Sequence, residues 1–395
     1  MKKLFKIIIL SVLMALCLVG LFACNGDDPT SETGLLVKKF KNDDTWTVCG
    51  YSGTDTEIDI AAMAKDEEGN PVTVGRIMKG AFDYNDTIVS VIVPDTVETI
   101  DEGAFRNMGK LRDLVLPFVG HTAIADGSFN QTEPQEDKSV GVERTFSYIF
   151  GTEEYDGGLL FTQVYQAGDD GTKDYYIPRT LKNVTISPAE DYTIPMYAFA
   201  GSSSNWTLIN KIVLGSKVVA IGDYAFSGCV GLNVLDTNNV TDIGDYAFSG
   251  CTNLKENGLT LIKVVTIGDY AFEKVAIGDL VLPDTVTEVG KYAFTGSKVV
   301  TVELSSALNV LSEGIFSDCK NLKSVVVKNA SIEIKAYAFE SCTAINTFGP
   351  SGTAEKTAVF TGYNVQNQAF ARVDKSNFDS ITGLSDVDAV FFSVE

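Results

Sequence analysis

Histidine is almost absent from the sequence, since His121 is the only one in 395 residues. Catalysis by a Ser-His-Asp or Cys-His arrangement would have to use His121, and no recognisable nucleophile motif lies near its phrase LPFVGHT (116–122). Nothing in the sequence marks out a pair of carboxylates for glycoside hydrolysis either. We therefore predict no catalytic residue, and we interpret His121 as a loop histidine.

The sequence also lacks a CxxC pair, so a zinc site has no pair of ligands to start from. Four of its seven cysteines recur at one place in a repeat: Cys229 and Cys251 are 22 residues apart, and Cys319 and Cys342 are 23 apart. Equal positions in neighbouring repeats predict that they stack as small buried hydrophobic side chains. Disulfides between adjacent repeats are the alternative, because stacked positions fall near bridging distance.

Basic residues are scarce, with 31 Lys and Arg against 52 Asp and Glu, and the formal net charge is -21. Such a surface repels phosphate backbones, which argues against nucleic acid as a partner. Asp223, Asp245 and Asp269 recur in register, but the glycine-aspartate nonapeptide of calcium-binding β-rolls is absent. We expect these aspartates to accept backbone N–H bonds in turns, and a calcium ladder is the alternative. No metal and no cofactor is predicted.

The first residues form a segment of their own. Three lysines precede an uncharged, mostly apolar run from Ile7 to Phe22, which is the layout of a bacterial secretory signal. The run LFAC at 21–24 resembles the lipobox of bacterial lipoproteins, which implies removal of residues 1–23 and lipidation of Cys24. Ordinary secretion with cleavage nearby is the alternative. Residues 24–45 are mostly polar and contain turn formers, and we interpret them as a tether to the membrane.

Repetition dominates the rest of the chain. The phrase IGDYAFSGC occurs at 221–229 and again at 243–251, and IGDYAF returns at 267–272. A phenylalanine after a small residue, or once after Ile, marks each repeat, and most successive ones are 22 to 24 residues apart. This period is typical of leucine-rich repeats rather than of helical arrays. The pairs are Ala81-Phe82, Ala104-Phe105, Ser128-Phe129, Ala198-Phe199, Ala225-Phe226, Ala247-Phe248, Ala271-Phe272, Ala293-Phe294, Ile315-Phe316, Ala338-Phe339 and Ala369-Phe370.

Each repeat combines a strand with a turn. The apolar alternation LVL at 114–116 and 280–282 predicts a short strand with alternate side chains inward, and a proline closes it at Pro117 and Pro283. A turn phrase then leads to the phenylalanine. Stacked coils would bring these rings together as a buried spine. The predicted spine consists of Phe82, Phe105, Phe199, Phe226, Phe248, Phe272, Phe294, Phe316, Phe339 and Phe370.

The phrases IGDYAFSGC (221–229), LPDTVTEVG (282–290) and NLKSVVV (321–327) resemble the BspA-like subfamily of leucine-rich repeats. This resemblance implies a β-rich solenoid of coils of about 23 residues, right-handed and curved, with terminal caps. We place the repeats at 81–370, with a long insertion at about 120–177 that accounts for the one interval of 70 residues. The caps are expected at 46–80 and 371–395.

The same resemblance implies a non-catalytic protein of the bacterial cell surface that serves adhesion or interaction with host proteins. Solenoids offer long rigid surfaces to extended protein partners, and the inserted segment 120–177 is a second candidate contact region. A structural or scaffolding envelope lipoprotein is the alternative, and a carbohydrate-active enzyme is a weaker one. The candidate contacts are outward strand positions: Asp113, Val115, Lys211, Val213, Asp279, Val281, Thr301 and Glu303.

Overall fold

A computed structural model of the chain describes residues 33–122, 138–166, 171–201, 209–255 and 259–391. These ranges fold into a strand-rich stack of coils with parallel sheets, so the predicted repeat fold is confirmed. The handedness, curvature and caps of the solenoid stay predictions. No helix in the described ranges is long and apolar enough to cross a membrane. The helices are short: Ile60–Met63, Lys138–Glu143 and Val387–Phe391 are α-helical, and Phe146–Phe150 and Lys375–Asn377 are 3-10 helical.

The coils contribute one strand each to two parallel sheets of six strands, which follow one another along the chain. We call these the front strands. Leu235 of the last strand of the first sheet forms a parallel bridge with Leu259, which carries the stack toward the second sheet. The front strands are Glu57–Asp59, Ser90–Ile92, Asp113–Leu116, Asn183–Ile186, Lys211–Leu214, Val234–Asp236, Asp279–Val281, Thr301–Glu303, Ser324–Val326, Thr347–Gly349, Thr357–Val359 and Ser380–Thr382.

A second row of shorter strands, the side strands, follows the front strands in most coils. They pair in parallel with the side strands of neighbouring coils, in three separate sheets. In most of them the inward residue is a buried Ile, Val or Leu, such as Ile243 or Ile267. The side strands are Trp46–Tyr51, Val74–Ile77, Thr99–Ile100, Tyr192–Ile194, Val218–Ile221, Asp242–Ile243, Thr266–Ile267, Glu288–Val289, Val310–Leu311, Glu333–Ile334 and Asn364–Val365.

The phenylalanine rings of successive coils stack in the core, Phe82 on Phe105 and then continuously from Phe199 to Phe370. Neighbouring rings lie 4.9 to 5.6 Å apart between centroids along the stack. The backbone repeats with them: the N–H of Phe226 donates to the carbonyl of Ala247, and the N–H of Phe248 donates to the carbonyl of Ala271, each at 2.8 Å. Ring stacking and backbone pairing therefore require the same contact surface on successive regular coils. This requirement explains why the same residues recur in the sequence.

The N-terminal boundary of the folded part differs from the prediction. Leu35–Lys38 forms a strand antiparallel to Trp46–Tyr51, and Leu35 and Val37 are 1% and 0% exposed. The tether predicted at 24–45 is therefore wrong for these residues. Three apolar residues at 35–37 lie among polar ones, and their burial against the first coil outweighs the polar composition of the segment.

The interval of 70 residues is an insertion that leaves the front sheet continuous. Asp113–Leu116 pairs in parallel with Asn183–Ile186, so the front strands before and after the insertion are direct neighbours. The inserted chain includes an antiparallel hairpin of Gly158–Val164 and Thr172–Pro178. The insertion therefore adds structure beside the stack without breaking its hydrogen-bonded ladder.

The insertion also supplies part of the phenylalanine stack. The N–H of Phe105 donates to the carbonyl of Ile149 at 2.9 Å, and the N–H of Phe146 donates to that of Ala198 at 2.8 Å. The ring of Phe146 stacks on that of Phe199 at 4.9 Å. Ile149 takes the place that alanine has in the regular coils. Phe129, which marked this coil in the sequence, lies outside the described residues.

At the other end, Val387–Phe391 packs on the last coil. The N–H of Gln368 donates to the carbonyl of Ala389 at 3.0 Å, and that of Phe370 donates to Val390 at 3.1 Å. The ring of Phe391 lies 5.2 Å from that of Phe370. The final helix thus covers the last ring of the stack. Its carbonyls accept hydrogen bonds from the backbone N–H groups that would otherwise donate to a further coil.

Candidate binding surface

The outward side chains of the front strands form a regular surface that extends over successive coils. In Asp113–Leu116 the residues alternate between half-buried and buried, with Leu114 and Leu116 at 1% and 0% exposure. Asp113 and Val115 therefore point away from the core. The same alternation recurs in the other front strands, because successive side chains of a strand point to opposite faces.

Four of the sequence-predicted contact residues lie on the first front sheet, and we call them the N-terminal patch: Asp113, Val115, Lys211 and Val213. Asn183–Ile186 lies between their strands, with Thr185 opposite both Val115 and Val213. The three β-branched side chains form a row across three strands. Charged and polar residues form the adjacent row, because Asn183 faces both Asp113 and Lys211.

The other four lie together on the second front sheet, and we call them the C-terminal patch: Asp279, Val281, Thr301 and Glu303. Asp279 lies opposite Thr301, and Val281 lies opposite Glu303, in neighbouring strands. Val281 is 56% exposed, a large value for an apolar side chain in a strand. The eight residues thus form two separate patches rather than one.

Most charges in the two patches already have partners within the protein. Asp113 accepts from Asn183 and pairs with Arg112 at 2.8 Å. Burial would raise the pKa of Asp113, but the hydrogen bond from Asn183 and the Arg112 guanidinium lower it below its ordinary value. Glu303 pairs with Lys328 at 2.7 Å. Among the described residues Lys211 makes no ion pair, so it offers the free charge of the N-terminal patch.

The inserted hairpin is joined to the coils by a buried amide, that of Gln163, whose side chain is 0% exposed. The Ser147 hydroxyl donates to its Oε1 at 2.9 Å. Its Nε2 donates to the carbonyls of Val164, Tyr197 and Ala200 at 2.9, 3.0 and 2.6 Å. A polar group buried in this way is stabilising only because its hydrogen bonds are made. The insertion is therefore packed onto the solenoid rather than suspended from it.

The aspartates that recur in register bond to the backbone of the next coil. Asp223 Oδ1 accepts from the N–H of Asp245 at 2.9 Å, and Asp245 Oδ1 accepts from that of Asp269 at 2.7 Å. Asp269 accepts likewise from Lys291 at 2.6 Å. The prediction that these residues accept backbone N–H bonds is confirmed. Within the described ranges no three His, Cys, Asp or Glu side chains are grouped so that they could hold a metal ion.

The four repeat cysteines are free and fully buried. Each thiol donates to the carbonyl of a phenylalanine in the preceding coil, for example Cys251 to Phe226 and Cys319 to Phe294, both at 3.1 Å. Burial raises the pKa of the Cys319 thiol to about 12, so the thiolate that would react is strongly disfavoured. The interpretation as small buried side chains is confirmed, and the disulfide alternative is wrong for this structure.

His121 lies where the insertion leaves the regular coils. Its Nδ1 is 2.9 Å from the carbonyl oxygen of Ile100, and its backbone N–H donates to the backbone carbonyl of Glu143 at 2.7 Å. Its ring meets that of Tyr148 edge to face at 5.7 Å between centroids. These contacts hold the loop against the coil and assign His121 a structural role.

Sequence reasoning missed a second aromatic stack, which we call the tyrosine ladder. Its neighbouring rings are 4.7 to 5.1 Å apart and nearly parallel. The signal was present, because the tyrosine of IGDYAF recurs two residues before the phenylalanine in several successive coils. The ladder consists of Tyr197, Tyr224, Tyr246, Tyr270 and Tyr292.

The repeats match a known family. The model of the BspA type leucine-rich repeat region matches six copies, at residues 70–150, 173–277 and 257–366. The chain belongs to the BspA-type leucine-rich repeat family. The phrases from which the resemblance was inferred lie inside these matched ranges.

Several solved structures are similar to this BspA-type chain. A leucine-rich repeat protein from Bacteroides ovatus is 16% identical, with a TM-score of 0.41, and the match covers 94% of this chain and 90% of that one. A leucine-rich cell surface protein from Faecalibacterium prausnitzii is 19% identical, with a TM-score of 0.33 and coverage of 94% and 99%. A leucine-rich repeat protein from T. pallidum is 20% identical, with a TM-score of 0.35 and coverage of 58% and 97%. No functionally curated protein matches the chain.

Proposed function

We propose that this BspA-type protein is a non-catalytic, lipid-anchored binding protein of the bacterial cell surface. Its partners are extracellular proteins, including host proteins, and its role is adhesion or host interaction. The observation that carries the proposal is the outward face of the front strands. That face repeats over many coils, is rigid, and combines β-branched side chains with polar ones, as extended protein interfaces require.

The N-terminal patch is the better supported contact region. Val115 and Val213 flank Thr185 on three hydrogen-bonded strands, and Lys211 adds a charge that makes no ion pair within the described part of the chain. In such a patch the apolar area at the centre contributes affinity, and the charge beside it orients the partner. The inserted hairpin belongs to the same half of the chain and is held in place by Gln163.

Capture of partners from an extracellular-matrix extract, at physiological salt, tests this proposal. The double variant Val115→Glu, Val213→Glu keeps the core intact, because both side chains point outward, and it should abolish saturable capture. The matched control is Val326→Glu, an outward position of another front strand, which should leave capture unchanged. Loss of capture in both variants, or in neither, would contradict the assignment to the N-terminal patch.

Two other functions make different predictions in the same experiment. A scaffolding lipoprotein would capture envelope proteins or further copies of itself and no matrix protein. A carbohydrate-active enzyme would show turnover that a single carboxylate substitution abolishes. Net charge does not separate these classes, although -21 disfavours nucleic acid in all of them.

The anchor proposal rests on the leader and on Cys24, which lies outside the described residues. Because the fold begins by Leu35, the chain from Cys24 can reach no more than about 40 Å, which keeps the first coil close to the membrane. Growth with an alkyne-labelled fatty acid should label the protein, and Cys24→Ala should abolish the label. Undiminished labelling of the Cys24→Ala variant would place the acyl chain elsewhere.

A further inference from the structure

The tyrosine ladder occupies a backbone position that favours glycine. All five of its residues have φ between 54° and 57°, the left-handed region in which side chains are strained by about 1–2 kcal/mol per residue. Gly80, Gly103 and Gly314 hold the same place, two residues before the phenylalanine, in other coils. The coil therefore does not require a side chain there, and each tyrosine must be retained for what its ring or its hydroxyl does.

Stacking accounts for the rings but not for the hydroxyls. Neighbouring rings gain about 0.5–1.5 kcal/mol from their parallel contact, which offsets much of the strain. Phenylalanine would give the same contact, and the fold uses phenylalanine two residues later, where only packing is required. The hydroxyls must therefore be explained by what lies at the outer edge of the ladder.

Four of those hydroxyls have no protein partner among the described residues. One belongs to Tyr197, which is buried, and the other three belong to Tyr224, Tyr246 and Tyr270. The rings are partly exposed, so their outer edges reach solvent. Tyr292 differs, since its hydroxyl donates to Glu313 at 3.4 Å, and Tyr337 donates to Gln368 at 2.6 Å. Free hydroxyls thus recur once per coil over three consecutive coils.

The spacing of these hydroxyls selects the kind of ligand. Their rings are 4.7 Å apart, and an extended peptide, which rises about 3.3 Å per residue, would lose register with them within two coils. A folded protein surface does not need equal spacing. A linear glycan in an extended β-1,4 linkage advances by close to one coil spacing per sugar and offers hydroxyls as partners at each step.

The charges around the ladder favour an uncharged ligand. Asp223 and Asp245 flank the ladder, and both already accept backbone N–H bonds from the next coil. They therefore do not require a cationic ligand as a partner. The net charge of -21 repels polyanions. Burial raises the pKa of Tyr224 and Tyr246, which keeps both phenols neutral and able to donate.

We propose that the tyrosine ladder binds an uncharged, extended β-1,4-linked polysaccharide along the stack, with one sugar per coil at Tyr224, Tyr246 and Tyr270. The phenol hydroxyls exchange hydrogen bonds with sugar hydroxyls, and the exposed ring edges contact the sugar rings. This site is separate from the front strands, so it can fail without affecting the proposed protein-binding function.

Affinity electrophoresis of the full chain in mild detergent, through native gels with and without hydroxyethyl cellulose or xylan, tests the proposal. We expect the polysaccharide to retard the protein. The triple variant Tyr224→Phe, Tyr246→Phe, Tyr270→Phe keeps the stacked rings and should weaken binding by roughly tenfold or more, since several hydrogen bonds are lost together. Tyr337→Phe is the matched control, because its hydroxyl is bound within the protein, and it should migrate like wild type.

A single variant keeps the proposal testable if the triple variant misfolds. Tyr246→Phe alone removes the central hydroxyl, and it should weaken binding while leaving the thermal unfolding temperature unchanged. Absence of retardation of the wild type by either polysaccharide would overturn the proposal. So would equal retardation of wild type and triple variant, or an equal loss in Tyr337→Phe. Retardation by a basic polypeptide in place of the glycans would also overturn it, because the ladder would then recognise charge.

Discussion

Two regions continue the same phenylalanine stack in different ways. Between Val218 and Phe294, consecutive coils spell nearly the same phrase, and each adds one ring to the phenylalanine stack. Between Pro117 and Lys182, the chain has no such phrase, yet Phe146 and Phe150 lie in the core. The N–H of Phe146 donates to Ala198, and the carbonyl of Ile149 accepts from Phe105, as in the regular coils. The fold therefore constrains the contact surface of each coil and leaves the length and sequence of the connecting chain free.

The largest expected effect comes from removing a ring in either region. Phe248→Ala should lower the free energy of unfolding by about 3–5 kcal/mol, because it opens a cavity between two stacked rings. Phe150→Ala should cost a similar amount if the insertion is a true member of the stack. Urea unfolding measures both, and Phe248→Leu, which keeps most apolar contact, should cost less. A loss below about 1 kcal/mol for Phe150→Ala would separate the two regions.

The next test lies inside the regular coils, where Gly314 follows the last rung of the tyrosine ladder. A Cβ at Gly314 would lie 2.1 Å from Cε1 of Tyr292, so Gly314→Ala combines left-handed strain with overpacking and should cost about 3 kcal/mol. Gly352→Ala is the control, since its φ is also positive but a Cβ there meets nothing within 4 Å. Equal thermal shifts for both variants would show that Tyr292 does not set the cost.

A smaller effect is expected where the insertion joins the coils. Gln163→Leu leaves the buried Ser147 hydroxyl without its acceptor and removes the amide bonds to three carbonyls, which should cost about 1–3 kcal/mol. Thr162→Val is the neighbouring control, because its bond to Asp174 is exposed, and it should change stability by less than about 0.5 kcal/mol. If Gln163→Leu is as stable as wild type in urea, the hairpin is held by its apolar contacts alone.

The smallest effect concerns acid stability in the regular coils. Asp284 accepts from the N–H of Ser306 in the next coil at 2.8 Å, and this backbone bond lowers its pKa. A carboxyl with a lowered folded pKa stabilises the protein above its unfolded pKa, and that contribution is lost as pH falls through the folded value. Asp284→Asn should therefore lose less stability on acidification than wild type, as measured by urea unfolding at several pH values. Identical slopes of unfolding free energy against pH for the two proteins would show that Asp284 does not contribute to acid stability.

Much of the repeat could be predicted because each recurring residue makes the same contact in every regular coil. The alternation Leu114-Val115-Leu116 predicted a strand with two buried leucines, and the spacing of Ala-Phe pairs predicted the period. Asp223 and Asp245 could be assigned to turns because a short acceptor beside a glycine is a turn signal. These inferences depend only on neighbouring coils being alike.

The missed features depend on contacts between unlike segments. The strand Leu35–Lys38 lies in a polar region and is stabilised by pairing with Trp46–Tyr51, which composition does not reveal. Phe146 joins the stack through a 3-10 helix that has no repeat phrase. The tyrosine ladder was visible as a recurring letter, but its left-handed backbone and ring contacts are tertiary facts. The front patches became two groups only once the strand order was known.

Hydrogen exchange in the native state tests the central claim most directly, namely that the insertion is part of one continuous stack. The amides of Phe105 and Phe146 bond to Ile149 and Ala198 as those of Phe226 and Phe248 bond within the regular coils. We expect all four amides to exchange with similar protection, since each opens only when its neighbouring coils unfold. Much faster exchange at Phe105 and Phe146 than at Phe226 and Phe248 would contradict it and show that the insertion interrupts the stack.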